Sequence, residues 1–127
     1  IAAAPDFTKV LMWDTFSKKV KKIINSGKVY KLPNEYDGYY PIGKPLIKGG
    51  SKHLILKKKK KCNFPLRFFH GLKDSVVPIK YSYLLSNVLI SKDSLILLQK
   101  DGDHSLSSKE DLSRIAKEIK FLAKIKI

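Results

Sequence analysis

The sequence predicts an α/β domain of about three parallel strands with flanking helices and an inserted segment. Three observations carry this expectation. Two short apolar runs, 65–70 and 94–99, are each stopped by a loop containing Gly and Asp, the pattern of a buried strand running into a turn. The stretch between them has helical spacing, and so does the stretch after the second. The resulting order of strand, long insert, strand, helix, strand, helix is that of a parallel sheet covered by helices.

Ile1 to Ala4 is a small apolar run closed by Pro5-Asp6, which fits the end of a buried strand. From Thr8, read as an N-cap, Val10, Leu11, Phe16, Val20, Ile23 and Ile24 fall mostly at helical spacing, and Gly27 is expected to end that helix. Residues 28–43 read as two short strands around a turn, with Tyr30, Tyr36, Tyr39 and Tyr40 crowded together. These rings suit either an aromatic wall over a substrate or a hairpin covering a small core. Pro45 fits the first turn of a helix reaching to about Leu56 with His53 and Leu54 inward, although Gly49-Gly50 weakens it by roughly 1 kcal/mol per glycine.

The five consecutive lysines Lys57 to Lys61 read as a solvated connector, since no arginine or aromatic residue is interleaved with them. After the 65–74 strand and loop, a helix is expected to start at Pro78 with Ile79, Tyr83 and Leu84 on its apolar side. Strand 94–99 follows. Ser107 and Glu110 have capping-box spacing at the head of a last helix whose face would be Leu112, Ile115, Ile119 and Leu122, with a tail fraying from Ala123 to Ile127.

Length and charge narrow the function classes. A chain of 127 residues holds one domain or part of one, and with Ile1 first and Met12 as its single methionine it is expected to have lost its beginning. The net charge of +15 admits an anionic partner, nucleic acid or an acidic membrane surface. Yet only Arg67 and Arg114 among the 26 basic residues are arginine, the side chain best shaped to read phosphates, so no specific nucleic acid is expected. A lone cysteine, Cys62, rules out an internal disulfide and is read as inert. No apolar run approaches the ~18–20 residues of a membrane span, and the expected location is cytoplasmic.

The chemistry lies at the two loop ends. Asp74 follows the first strand and His104 follows the second, thirty positions later, so the carboxyl ends of neighbouring strands would present an acid and a base. An imidazole with an unperturbed pKa near ~6.5 takes a proton from a hydroxyl at neutral pH, and a carboxylate on its other nitrogen fixes its tautomer. Taken singly, Asp74 is also what a turn demands and His104 what a surface loop tolerates; their order and spacing favour the pair. His70, just before the loop glycine, reads as structural. Asp101 and Asp103 flank His104, but no second histidine or acid cluster stands at ligand spacing, so no metal or other cofactor is expected.

The run His70-Gly71-Leu72-Lys73-Asp74-Ser75-Val76-Val77-Pro78, followed by Gly102-Asp103-His104-Ser105, resembles the last third of an α/β-hydrolase. In that family the order is nucleophile, acid, histidine. The resemblance implies that Asp74 is the triad acid and His104 the triad base. It further implies that residues 1–7 are a core strand, 8–61 a cap or lid insert, and 62–127 the C-terminal core. Within the family the chain most resembles small-acyl esterases and protein thioesterases of the mitochondrial acyl-glucuronide esterase and palmitoyl thioesterase type.

No Gly-x-Ser-x-Gly turn occurs in the sequence, so the nucleophile and the oxyanion donors of such an enzyme would have to come from elsewhere. The expectation is therefore the C-terminal portion of a serine hydrolase acting on an ester or thioester, inactive alone, whose partners are an acyl substrate and the missing N-terminal half. The alternative is a small basic domain that binds nucleic acid or anionic membrane, for which affinity would fall steeply with salt. A sheet lacking its neighbours would also leave an apolar edge and one face open to water.

Overall fold

A computed structural model describes residues 1–34 and 37–124. The chain divides into two units, Asp6–Ile55 and a second built from Ile1–Pro5 together with Leu56–Ile127.

In the Asp6–Ile55 unit, the long helix expected from Thr8 is two segments. Thr8–Trp13 winds as a π-helix, and a regular helix, α1, occupies Lys18–Asn25. The break follows from hydroxyls competing with the helical backbone. Thr15 Oγ1 donates to the Leu11 and Met12 carbonyls at 3.0 and 2.9 Å, and the N-cap is Ser17, whose Oγ accepts from the Val20 N–H at 3.3 Å. Thr8 is no cap; it is buried against Gly50, where an added Cβ would come within 2.9 Å of Thr8 Cγ2. Gly27, at φ +88°, stops α1 in a conformation that disfavours any residue with a Cβ.

The hairpin is present: β1 (Tyr30–Pro33) and β2 (Tyr39–Ile42) pair antiparallel with Tyr30 opposite Ile42. Ile24 and Ile42 are fully buried, Phe16 meets Tyr30 edge to face at 5.7 Å, and Tyr39 and Tyr40 are half exposed. Tyr36 lies outside the described residues. Helix α2 (Lys44–Ser51) has Pro45 in its first turn but stops five residues short of Leu56. Its end tightens as the Lys52 and His53 N–H groups bond the Gly49 and Gly50 carbonyls at 3.1 Å each, which leaves His53 exposed, not inward.

The second unit carries the parallel ladder. Strand β4 (Leu66–Gly71) pairs with β6 (Ser94–Gln99) in continuous register, from Leu66 opposite Ser94 to Gly71 opposite Gln99. The first residues join this ladder by one bond, Ala2 N–H to the Phe69 carbonyl at 2.7 Å, without forming a regular strand. The last two lysines of the basic run are not connector: β3 (Lys60–Lys61) pairs parallel with β5 (Leu89–Ile90).

Two helices flank these strands, α3 (Lys80–Val88) and α4 (Lys109–Leu122). Phe68, Val77, Tyr81, Leu85, Leu106 and Ile115 form the core. Tyr81 and Leu85, one helical turn apart, face inward on α3, whereas the expected Tyr83 and Leu84 are 46% and 45% exposed. The cap of α4 is Ser108, not Ser107: its Oγ accepts from the Asp111 N–H at 3.1 Å and donates to Asp111 Oδ2 at 2.7 Å. Arg67, nearly buried, ties the ladder to α4 through a two-pronged bond to Asp93 and a 3.0 Å bond to Glu118. The hydrogen bonds from Arg67 hold the Asp93 carboxyl below its ordinary range.

Large apolar side chains lie open on this unit. Leu95 and Leu98 on β6 and Leu112 and Ile119 on α4 are all more than two-fifths exposed. Among the described residues no helix is long and apolar enough to cross a membrane.

Candidate active site

Strands β4 and β6 run side by side in the same direction, so the loops after Gly71 and Gln99 leave the same rim of the ladder. Backbone bonds fasten them together there. The Leu72 N–H donates to the Gln99 carbonyl at 2.8 Å and the Lys73 N–H to the Gly102 carbonyl at 2.9 Å. Gly71 makes this approach possible: a Cβ at that position would collide with the Gly102 carbonyl and lie 2.5 Å from the Asp103 oxygen. Asp101 pairs with Lys73 at 2.7 Å across the outer surface of the joined loops.

Each loop is closed by an aspartate in the same way. Asp74 Oδ1 accepts from the N–H groups of Val76 and Val77 at 2.8 Å each, and Asp103 Oδ1 from those of Ser105 and Leu106 at 2.9 Å each. A short carboxylate that bonds the backbone two and three residues on builds a turn without help from the rest of the chain. In the second loop the turn holds the buried Leu106 at φ +46°, a conformation uncommon for a residue with a Cβ.

The structure brings Asp74 and His104 together. Asp74 Oδ2 lies 2.9 Å from His104 Nδ1, and since an ionised carboxylate only accepts, Nδ1–H is the donor. The two side chains differ in exposure: 1% for Asp74, 43% for His104. The carboxylate is thus withdrawn from solvent while the imidazole reaches out, and among the described residues its Nε2 has no hydrogen-bond partner. Burial pushes the Asp74 carboxyl up, but the Val77 N–H, the His104 ring and the Val76 N–H together outweigh it and hold the group below the usual carboxylate range. Asp74 therefore remains an anion at neutral pH, the state that fixes the histidine tautomer and steadies a charged ring.

His70 is fully buried, as its place before the loop glycine indicated. What its ring holds has no signature in the local residue pattern. Nε2 lies 2.8 Å from the Val77 carbonyl and 3.4 Å from Asp74 Oδ2, and Nδ1 lies 2.7 Å from Ser82 Oγ. The close pair Gly71 and Gly102 is likewise not apparent as part of the site from the sequence; a glycine at the end of one strand and another just beyond its neighbour is the signal available. Cys62 is buried, its Sγ 3.9 Å from the Lys60 carbonyl.

No protein-family model matches the chain. Among curated proteins it is similar to the mitochondrial palmitoyl-protein thioesterase ABHD10 of Pongo abelii, 31% identical over 114 residues, and to that of Homo sapiens, 30% identical over 114 residues. Each match covers 88% of this chain and 37% of the relative, so the chain spans little more than a third of their length. Among solved structures, a putative hydrolase from Agrobacterium vitis S4 superposes with a TM-score of 0.88 at 24% identity, over 95% of this chain and 47% of that one, a likeness of fold alone. The mouse alpha/beta hydrolase domain-containing protein 10 gives a TM-score of 0.82 at 28% identity, over 96% of this chain and 49% of that one. The parallel ladder, the flanking helices and these likenesses agree that the chain carries part of an α/β-hydrolase fold.

Proposed function

We propose that this chain supplies the acid and the histidine of a serine-type hydrolase that cleaves an ester or thioester. The observation that carries the reading is the Asp74–His104 pair: a buried carboxylate 2.9 Å from Nδ1 of a half-exposed imidazole. In this reading the His104 Nε2 takes the proton of a serine hydroxyl as the serine attacks the acyl carbon, then returns it to the departing alcohol or thiol. Asp74 stays ionised throughout and holds the ring. Hydrolysis of the acyl-enzyme repeats the cycle with water in place of serine.

The sequence contains no Gly-x-Ser-x-Gly turn. The serine and the oxyanion donors are accordingly assigned to polypeptide outside residues 1–127, and the chain alone is assigned no turnover. The curated relatives are named for cleaving palmitoyl groups from proteins, which favours a long-chain acyl thioester as the substrate class.

The test is a fluorophosphonate label together with p-nitrophenyl ester hydrolysis. Residues 1–127 alone should neither take the label nor turn over. Coding sequence lying in frame upstream, if it encodes a serine elbow, should give both when joined to this chain, and His104→Ala should then abolish turnover. Robust activity of residues 1–127 by themselves would overturn the assignment.

A further inference from the structure

We propose that His70 is a positioning residue for the acid and histidine pair: its buried ring clamps the loop from Asp74 to Val77 so that the carboxylate meets His104. This rests on the reading of Asp74 and His104 as a catalytic pair and adds a third, buried member that touches neither substrate nor nucleophile.

The partners of the His70 ring fix which nitrogen carries the proton. The Val77 carbonyl accepts only, so Nε2 of His70, 2.8 Å away, must be its donor. In the neutral ring Nδ1 is then an acceptor and takes the Ser82 hydroxyl proton at 2.7 Å. Ser82 lies on α3 and is itself buried, so the helix fixes both the tautomer and the plane of the ring. The same Nε2–H lies 3.4 Å from Asp74 Oδ2, the oxygen that receives His104. The N–H bonds the Val77 carbonyl at one end of the loop, and the ring edge lies beside the Asp74 carboxylate at the other.

The Leu72 and Lys73 N–H groups fasten the start of this loop to its neighbour, and Asp74 Oδ1 is engaged by its own Val76 and Val77 N–H groups, which shape the turn but do not anchor its Val77 end to the ladder. His70 comes from the ladder, one residue before Gly71, and its hydrogen bond to the Val77 carbonyl holds the far end of that turn. Val77 is 2% exposed, so water cannot replace the lost donor if the ring is removed. The expected result is a loop that shifts to satisfy the carbonyl and carries the carboxylate away from His104.

The test reads the protonation of the His104 ring in this chain directly, by ring nitrogen NMR above about pH 8, where an ordinary histidine is neutral. The chain has three histidines, so single substitutions assign the signals. In the native chain His104 should carry its proton on Nδ1, held by Asp74, whereas an unpartnered imidazole favours Nε2–H. His70→Phe should lose the Nδ1–H signal of His104. His70→Gln, whose terminal amide reaches the place of the ring Nε2, should retain it. His70→Asn, which reaches only the place of Nδ1 and so keeps Ser82 but not Val77, should lose it as His70→Phe does.

The Gln and Asn contrast decides the matter even if the Phe variant does not fold. An unchanged Nδ1–H signal in the Asn variant, or unfolding of the Gln variant, would overturn the proposal. Failure of the underlying pair is distinguishable, because the native chain would then show His104 protonated on Nε2 whatever stands at position 70.

Discussion

Gly71 and Gly102 lie in direct backbone contact, so that the two loops carrying Asp74 and His104 leave the ladder as one joined piece. The Lys73 N–H to Gly102 carbonyl bond, at 2.9 Å, exists because no side chain separates the strand ends.

Gly71→Ala should therefore injure both the fold and the site. The added methyl meets backbone, not a flexible side chain, so the loops must part. Overpacking of this kind costs about 1–3 kcal/mol. Urea unfolding should show the lower midpoint, and the His104 Nδ1–H signal should weaken with it.

The acid limb of the stability profile should report Asp74. Its folded-state pKa lies below the ordinary value, the outcome of the Val77, His104 and Val76 hydrogen bonds prevailing over burial. The unfolded state therefore binds the proton more readily. The carboxylate's contribution is present in full above the unfolded pKa near ~3.9 and is lost as pH falls through the lower folded value. Asp74→Asn should flatten this limb relative to the native chain in urea midpoints measured from pH 6 downward, to an extent that equals the lost contribution.

His104→Ala should separate function from stability. The side chain is 43% exposed and lies midway along a surface loop, so the unfolding free energy should move by less than about 1 kcal/mol. In an assembly that hydrolyses esters, turnover should fall by roughly 10⁶, the scale set by loss of the triad histidine in a serine protease. Equal loss of turnover from a conservative change elsewhere on the outer loop surface, such as Lys73→Ala, would contradict this division.

Ser108→Ala should destabilise by about 1 kcal/mol, the usual loss of an N-cap, whereas Ser107→Ala should stay within about 0.5 kcal/mol. The pair of variants tests which serine begins α4. Thermal unfolding of the two single mutants is sufficient.

The α4 frame shows where sequence reading reaches its limit. Adjacent serines each have an acid three residues on, Glu110 for Ser107 and Asp111 for Ser108, so local chemistry offers two equivalent caps. The preceding turn, which turns the chain at Leu106 and buries that side chain, accompanies the second. Helix α3 has the same ambiguity in its apolar positions. Tyr81, Tyr83, Leu84 and Leu85 are all apolar enough to face inward, and only packing against the ladder selects Tyr81 and Leu85. The two main strands and the Asp74 and His104 loops were legible because short apolar runs followed by turns rich in Gly and Asp need no tertiary information. The His70 contact was not legible, because it joins a strand end to a carbonyl seven residues away through a ring whose orientation is set by a helix.

The open apolar side chains give a prediction about solution behaviour. Leu112 and Ile119 are 54% and 60% exposed on α4, and neither fills the core. Leu112→Lys with Ile119→Lys should raise the concentration at which the chain self-associates in light scattering while leaving its circular dichroism unchanged.

The matching aspartate turns at 74 and 103 bear on how an active enzyme would come together. Each closes with its own backbone, and the two are already locked to one another before any serine-bearing segment arrives. A complementary polypeptide would meet a finished half-site and spend little of its binding energy on ordering these loops. Such assembly should be limited by encounter and by removing water from the exposed leucines, not by slow rearrangement around the histidine.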